Sequence, residues 1–221
     1  MKRSSIVIFG ITAVTLGLAI ATGSTFPTEA DLAPGWRTPI IAAELARTPA
    51  DLAFMAGPDN EPIRAAMDAG HRYDTLFPFA YGSLLFFSAY TARAHRLARV
   101  AMFAALLAIG MDLRENAVLI EITSVMRDGG GPEPYLSALF AATWVKWCAI
   151  AAALASIGIA EWTKSKGRAV VLGAVALLAP LAMVTGSPAL GEAMGLGTVV
   201  GFLTLVVRAW QQRADPPPAS A

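Results

Sequence analysis

Residues 100–125 read VAMFAALLAIGMDLRENAVLIEITSV, a run long enough to cross a membrane yet broken by Asp112, Arg114, Glu115, Asn116 and Glu121. A hydrocarbon core about 30 Å thick needs about 20 mostly apolar helical residues. A charge near its centre costs at least about 2.5–3.5 kcal/mol on insertion scales, so such groups turn towards protein and pair. At 100° per residue, Asp112, Glu115, Asn116 and Leu119 share one face, while Arg114 and Glu121 project from the opposite side. A helix polar on two sides has no clean face for lipid, so this stretch is expected at the centre of a bundle.

Five further apolar runs lie outward from it, at 4–22, 75–91, 136–160, 169–184 and 189–210. Only Thr185-Gly186-Ser187-Pro188 separates the last two, which predicts a tight helical hairpin. The composition agrees: 56% of the chain is hydrophobic and 15% charged, against about 25% charged in a soluble domain. That excludes a disordered chain, a soluble coiled coil and a disulfide scaffold. A net charge of +1 gives no basic field for nucleic acid, and one cysteine with two histidines leaves little material for haem or zinc. No cofactor and no metal are expected. The expected fold class is an all-α integral membrane protein, a six-transmembrane-helix bundle with a short helical extracytoplasmic cap. Residues 1–22 form the first span or signal anchor, 23–74 the outer loop, 75–210 a five-helix core and 211–221 a disordered cytoplasmic tail.

Charge distribution orients the bundle. With the N-terminus inside, the short inner segments hold Lys2, Arg3, Arg93, Arg96, Arg99, Lys164, Lys166, Arg168, Arg208 and Arg213. The outer side holds Arg37, Arg47, Arg64, Arg72 and Arg127. Positive charge gathers on the cytoplasmic side, so both termini are expected in the cytoplasm of a cell bounded by this inner (plasma) membrane. Phe77, Phe79, Tyr81, Tyr135 and Phe140 would then lie near the outer interface, and Tyr90, Trp162 and Trp210 near the inner one. Met1-Lys2-Arg3 followed by an apolar run and Ala19-Ile20-Ala21 also fits a signal peptide, whose removal would leave five spans.

In the outer loop, Thr38-Pro39 and Thr48-Pro49 both read as helix starts, with Thr as N-cap and Pro at the first helical position. Asp51 completes a capping-box-like pattern with Thr48, and Gly57 suits a stop. Two short amphipathic helices on the bundle mouth are expected, as a structural lid or a substrate-gating cap. Asp68, His71 and Asp74 are expected to form a solvated helix entry.

The next span contributes Lys146, at nearly the same depth as Glu115 on an antiparallel neighbour. A Glu115–Lys146 ion pair is therefore expected, with Asp112 or Asn116 as second partner and Thr143 and Trp147 on the Lys146 face. Gly191, Gly195, Gly197 and Gly201 give the sixth span two GxxxG spacings, for packing within the bundle or for an oligomer seam. Pro180 is expected to kink or end the fifth span. Glu192 reaches the site's mouth or is solvated, and Cys148 is expected as a small core residue.

Asp74-Thr-Leu-Phe77-Pro78-Phe79-Ala80-Tyr81, Asp112-Leu-Arg-Glu115-Asn116 and Lys146, with Gly35-Trp36 and Glu44-Leu45-Ala46 before them, resemble a pattern of uncharacterised bacterial multi-pass membrane proteins. The resemblance covers about the first two-thirds of the chain and implies no activity. It implies a common site at Asp74, Asp112, Glu115, Asn116 and Lys146.

Three readings of that site stay open. It binds or translocates a small molecule or ion, with Asp112 and Glu115 as ionisable acceptors and Lys146 as their exchangeable counter-charge. Alternatively it is catalytic, with Asp112 or Glu115 as general acid/base and Lys146 tuning it, acting on a lipid or isoprenoid-like substrate. Or its charges only lock packing in an assembly subunit. The expected partners are the lipid bilayer and a lipophilic or small ionic ligand, with no nucleic acid.

Overall fold

The structure is a computed structural model that describes residues 23–214, together with positions 10, 11, 13–15, 17, 18 and 21. Much of the expected first span and residues 215–221 of the tail lie outside the described residues. The described chain is helical, without strands. The helices are α1 (Pro39–Glu44), α2 (Glu61–Asp74), α3 (Phe77–Tyr90), α4 (Leu97–Arg127), α5 (Glu133–Glu161), α6 (Lys166–Thr185) and α7 (Pro188–Ala214). Two 3-10 helices, Pro49–Met55 and Pro58–Asn60, stand between α1 and α2.

Three of these are long and apolar enough to cross a membrane: α5, α6 and the first 24 residues of α7, Pro188–Gln211. They turn large apolar side chains outward, among them Ile159, Leu177, Val184, Leu196 and Leu203. α6 runs through Pro180 to Thr185 instead of ending there, and Gly186 closes it in the left-handed conformation at φ +62° that an L side chain resists. α7 continues to Ala214, past the point where the tail was expected to begin.

α4 runs 31 residues and packs along α5, with α2 and α3 on its other flank. Its second polar side is not enclosed: Arg114 and Glu121 are exposed, so α4 borders the bundle and does not occupy its centre. Cys148 is likewise exposed and not a core residue.

Residues 23–74 are more elaborate than two short helices. Pro39 and Pro49 do open helical turns, and the Asp51 carboxylate accepts from the backbone N–H groups of Arg47 and Thr48 and from the Thr48 hydroxyl. The second turn is 3-10, however, and a 14-residue helix, α2, follows. Together they build their own core: Leu52, Phe54, Met55 and Met67 bury against Val118, Leu119, Ile122 and Leu139 of α4 and α5.

Glu192 ties the segment leading into α1 to α7 and is not simply solvated. One of its carboxylate oxygens accepts from the backbone N–H groups of Arg37 and Thr38 at 2.9 and 2.8 Å, the other from the Thr38 hydroxyl at 2.6 Å. The glycines of α7 make room for Trp36, Ile41 and Leu45 and for α5 and α6. A Cβ at Gly191 would meet Leu45 at 2.6 Å, and one at Gly197 would meet Leu178 at 2.6 Å. These glycines thus pack against side chains of their own chain.

Hydrogen bonds to a charged acceptor contribute about 1.5–3 kcal/mol each. Glu192→Ala is therefore expected to free α1. Limited proteolysis should cut within residues 30–57 at least tenfold faster while the bundle's melting temperature moves little; unchanged cleavage would contradict the anchoring role.

At the other end of the bundle, Glu161 is fully buried and takes Arg208 Nε at 3.0 Å and Arg168 Nη2 at 3.1 Å. Arg208 is itself 2% exposed, and it donates to the Ser88 carbonyl at 2.8 Å and the Thr91 hydroxyl at 2.9 Å. A residue expected in an inner basic segment is thus a buried tie joining α3, α5 and α7.

Candidate functional site

Lys146 occupies the centre of the polar site. Its Nζ lies 2.5 Å from Glu115 Oε2, 3.0 Å from Glu44 Oε2 and 3.7 Å from Asp112 Oδ1. Glu115 is 0% exposed, Lys146 4% and Asp112 5%. The i, i+3, i+4 stripe of α4 presents Asp112 and Glu115 to Lys146 of α5, and Asn116 to His71 and Asp74 of α2. One turn before Lys146, Thr143 donates to the Glu44 carbonyl at 3.0 Å, holding the end of α1 in place.

Asn116 does not serve Lys146. Its side-chain N–H donates to Asp74 Oδ2 at 3.0 Å, and its carbonyl oxygen lies 3.2 Å from His71 Nδ1. Asp68, His71 and Asp74 therefore do not form a solvated entry: His71 is 1% exposed, and Asp68 accepts from Thr123 and pairs with Arg127 at 2.8 Å. Tyr81 is buried, not interfacial, and its hydroxyl donates to Asp112 Oδ2 at 2.8 Å.

All six residues expected at the site (Asp74, Asp112, Glu115, Asn116, Thr143 and Lys146) are brought together. Glu44, Tyr81 and His71 join them without having been expected there. Glu44 carried a signal. It falls four residues after Ile40 and three after Ile41, so it shares the apolar face of α1. A carboxylate on that face is directed towards a buried partner.

A cavity of about 280 Å³ opens beside this network. Glu44, Asp74, Asp112 and Lys146 line its polar part, and Ile40, Phe77, Ile150, Val199 and Phe202 its apolar part. Thr15 of the first segment and Gly195 of α7 complete the wall. Glu115 does not line it. The site thus divides into the fully buried Glu115 carboxylate behind Lys146 and an amphipathic cavity in front of it. Lys146 and Asp112 lie at about the midpoints of α5 and α4. Arg47 donates to the Met183 carbonyl in the last turn of α6 and stands 5.9 Å over the Trp144 ring, and Trp144 precedes Lys146 by about 3 Å of helix rise.

Among the described residues, no group of three or more His, Cys, Asp and Glu side chains has an arrangement suited to a metal ion. No family model matches the chain, and it has no significant match among curated proteins or solved structures.

His71 and Asp74, at the end of α2, are perturbed in opposite senses. Burial, aided by the Asp112 charge, pushes the Asp74 carboxyl up to about 7 against the opposing Asn116 hydrogen bond. Burial pushes His71 down to about 4, the Asn116 contact opposing it. A carboxyl that titrates higher in the folded state contributes stability at low pH and loses it as pH rises from about 4 to about 7. His71, kept neutral, loses stability as pH falls from about 6.5 to about 4. Asp74→Asn removes only the first slope. Its melting temperature is expected to rise more steeply than the wild type's between pH 4 and 6.5; parallel profiles would contradict the burial of Asp74.

Proposed function

We propose that this chain is a multi-pass membrane protein that binds or translocates a small molecule or ion by way of the cavity beside Lys146. Three apolar helices suggest membrane association. In the fuller reading the first segment, α3 and α4 cross beside them to give six spans. The cap lies outside, and the basic segments around Arg93–Arg99 and Lys164–Arg168 lie in the cytoplasm. The outward apolar side chains of α5, α6 and α7, together with Phe103 and Leu106 of α4, support this arrangement.

The observation that carries the functional reading is the cavity itself. Charges retained only to fix helix register need no free volume beside them. Here three carboxylates and an ammonium face an open space of about 280 Å³ whose remaining walls are largely apolar. Small-molecule sites have that character, a mostly apolar concavity with a few placed polar groups. Glu115 and Lys146 supply the fixed frame, while Asp74, Asp112 and Glu44 meet the occupant. α1 closes the mouth, held by Glu192 on one side and by Lys146 on the other.

Native mass spectrometry of the protein released from its host membrane tests this. The wild type is expected to carry a small non-covalent adduct that Gly195→Leu, which fills the cavity, lacks. An adduct-free wild type, or equal adducts in both, would overturn the reading.

A further inference from the structure

The cavity's charges do not balance. Lys146 is matched by Glu115 at 2.5 Å and shared with Glu44 at 3.0 Å. Asp112 stands farther off at 3.7 Å. Among the described residues, no cationic side chain lies within 4.0 Å of Asp74, and no hydrogen bond reaches its Oδ1. The Asn116 amide fixes Oδ2, which leaves Oδ1 as an oriented acceptor without a donor. Carboxylates in excess of cations at a buried site are costly unless a proton or a positive occupant neutralises them.

Part of the wall is aromatic. Phe77 and Tyr81 meet edge to face at 5.3 Å, and Tyr81 and Phe202 stack at 5.6 Å. Ring faces attract cations and also shelter apolar groups. Trp147, another lining residue, is 7% exposed and carries a buried indole N–H without an acceptor. An inorganic divalent ion needs six or more converging oxygens, whereas among the described residues no three His, Cys, Asp or Glu side chains are arranged to hold one. An anion would meet net negative charge. The space is about twice the roughly 150 Å³ that accommodates benzene in an apolar protein cavity, so it suits an occupant of about ten non-hydrogen atoms.

We propose that the occupant is a small amphiphilic organic cation, its ammonium group held by Asp74 and Asp112 and its apolar body by Phe77, Tyr81 and Phe202. This rests on the cavity being a ligand site and adds the class of ligand. Lys146 stays with Glu115 and sets the number of carboxylates left for the guest.

Three probes of matched shape test it on the full chain in lipid nanodiscs: 3-phenylpropylammonium, 3-phenylpropanol and 3-phenylpropionate, with binding followed by calorimetry. The ammonium is expected to bind at least tenfold tighter than the alcohol, and the carboxylate more weakly than either. Asp74→Asn should remove most of the ammonium's advantage while leaving the alcohol within about twofold. Gly195→Leu should abolish binding of all three while retaining the wild-type helical signal. Equal binding of alcohol and ammonium, tighter binding of the carboxylate, or an Asp74→Asn variant that keeps the preference would overturn the cation assignment and leave the ligand site standing. If no probe binds the wild type, or if Gly195→Leu binds as the wild type does, the ligand site falls as well.

Discussion

Replacing Lys146 with Met is expected to destabilise the folded chain by about 3–5 kcal/mol, the range found when one partner of a buried ion pair is removed. The ammonium sits within 4.0 Å of three carboxylates, and Glu115 has no access to water. Without Lys146, Glu115 must stay charged in a dry site or take up a proton, and both routes cost free energy. Two further outcomes separate this from a generic packing defect. Glu115→Gln should cost much less, because Lys146 keeps Glu44 and Asp112. The double variant Lys146→Met/Glu115→Gln should be more stable than the sum of the single losses implies, by at least about 1 kcal/mol, as contacting residues couple. Glu44 also loses its partner, so α1 and the turns after it should become more susceptible to protease in Lys146→Met. Additive losses measured by denaturant titration would contradict the pairing.

The second large effect is expected at the C-terminal end of α5. Glu161→Gln should cost about 3–5 kcal/mol, because it leaves Arg208, almost fully buried, with no carboxylate. Arg208 keeps its two donated bonds to Ser88 and Thr91, so α3 and α7 stay in contact, but the charge that Glu161 balanced is stranded. Arg208→Met/Glu161→Gln is expected to recover much of the loss, since an apolar side chain of similar length can fill the space. Binding to the cavity should survive in both variants, because this cluster stands about 15 residues, roughly 22 Å of helix rise, from Lys146. A Glu161→Gln protein that melts like the wild type would show that the cluster is hydrated and not buried.

Much of this was legible in the sequence because two periods were strong. The helical stripe Asp112, Glu115, Asn116 could face only one way, and counting residues along antiparallel helices placed Lys146 opposite Glu115. Apolar run length found α5, α6 and α7, with the hairpin turn fixed by Gly186 and Pro188. What was hidden lay in contacts between segments distant in sequence. Glu192 looked interfacial because its partners, the backbone N–H groups of Arg37 and Thr38, have no side-chain signature. Asp68 and His71 looked solvated because α2 is polar on average; only the tertiary placement of its inner face against Thr123 and Asn116 buries them. Arg208 looked like an inner basic residue, since its counter-charge Glu161 lies just beyond the apolar run that ended at Ala160. Arg114 and Glu121 misled in the other direction. Two polar faces suggested a central helix, whereas α4 leaves that second face open.

The most direct measurement is an experimental density map of the protein purified from its own membrane, inspected beside α4. The expected map shows Lys146 between Glu115 and Glu44, with density for a bound molecule in front of Asp74 and Asp112 and against Phe202. Lys146 turned away from Glu115, or a cavity closed by the chain's own side chains, would contradict the ligand site.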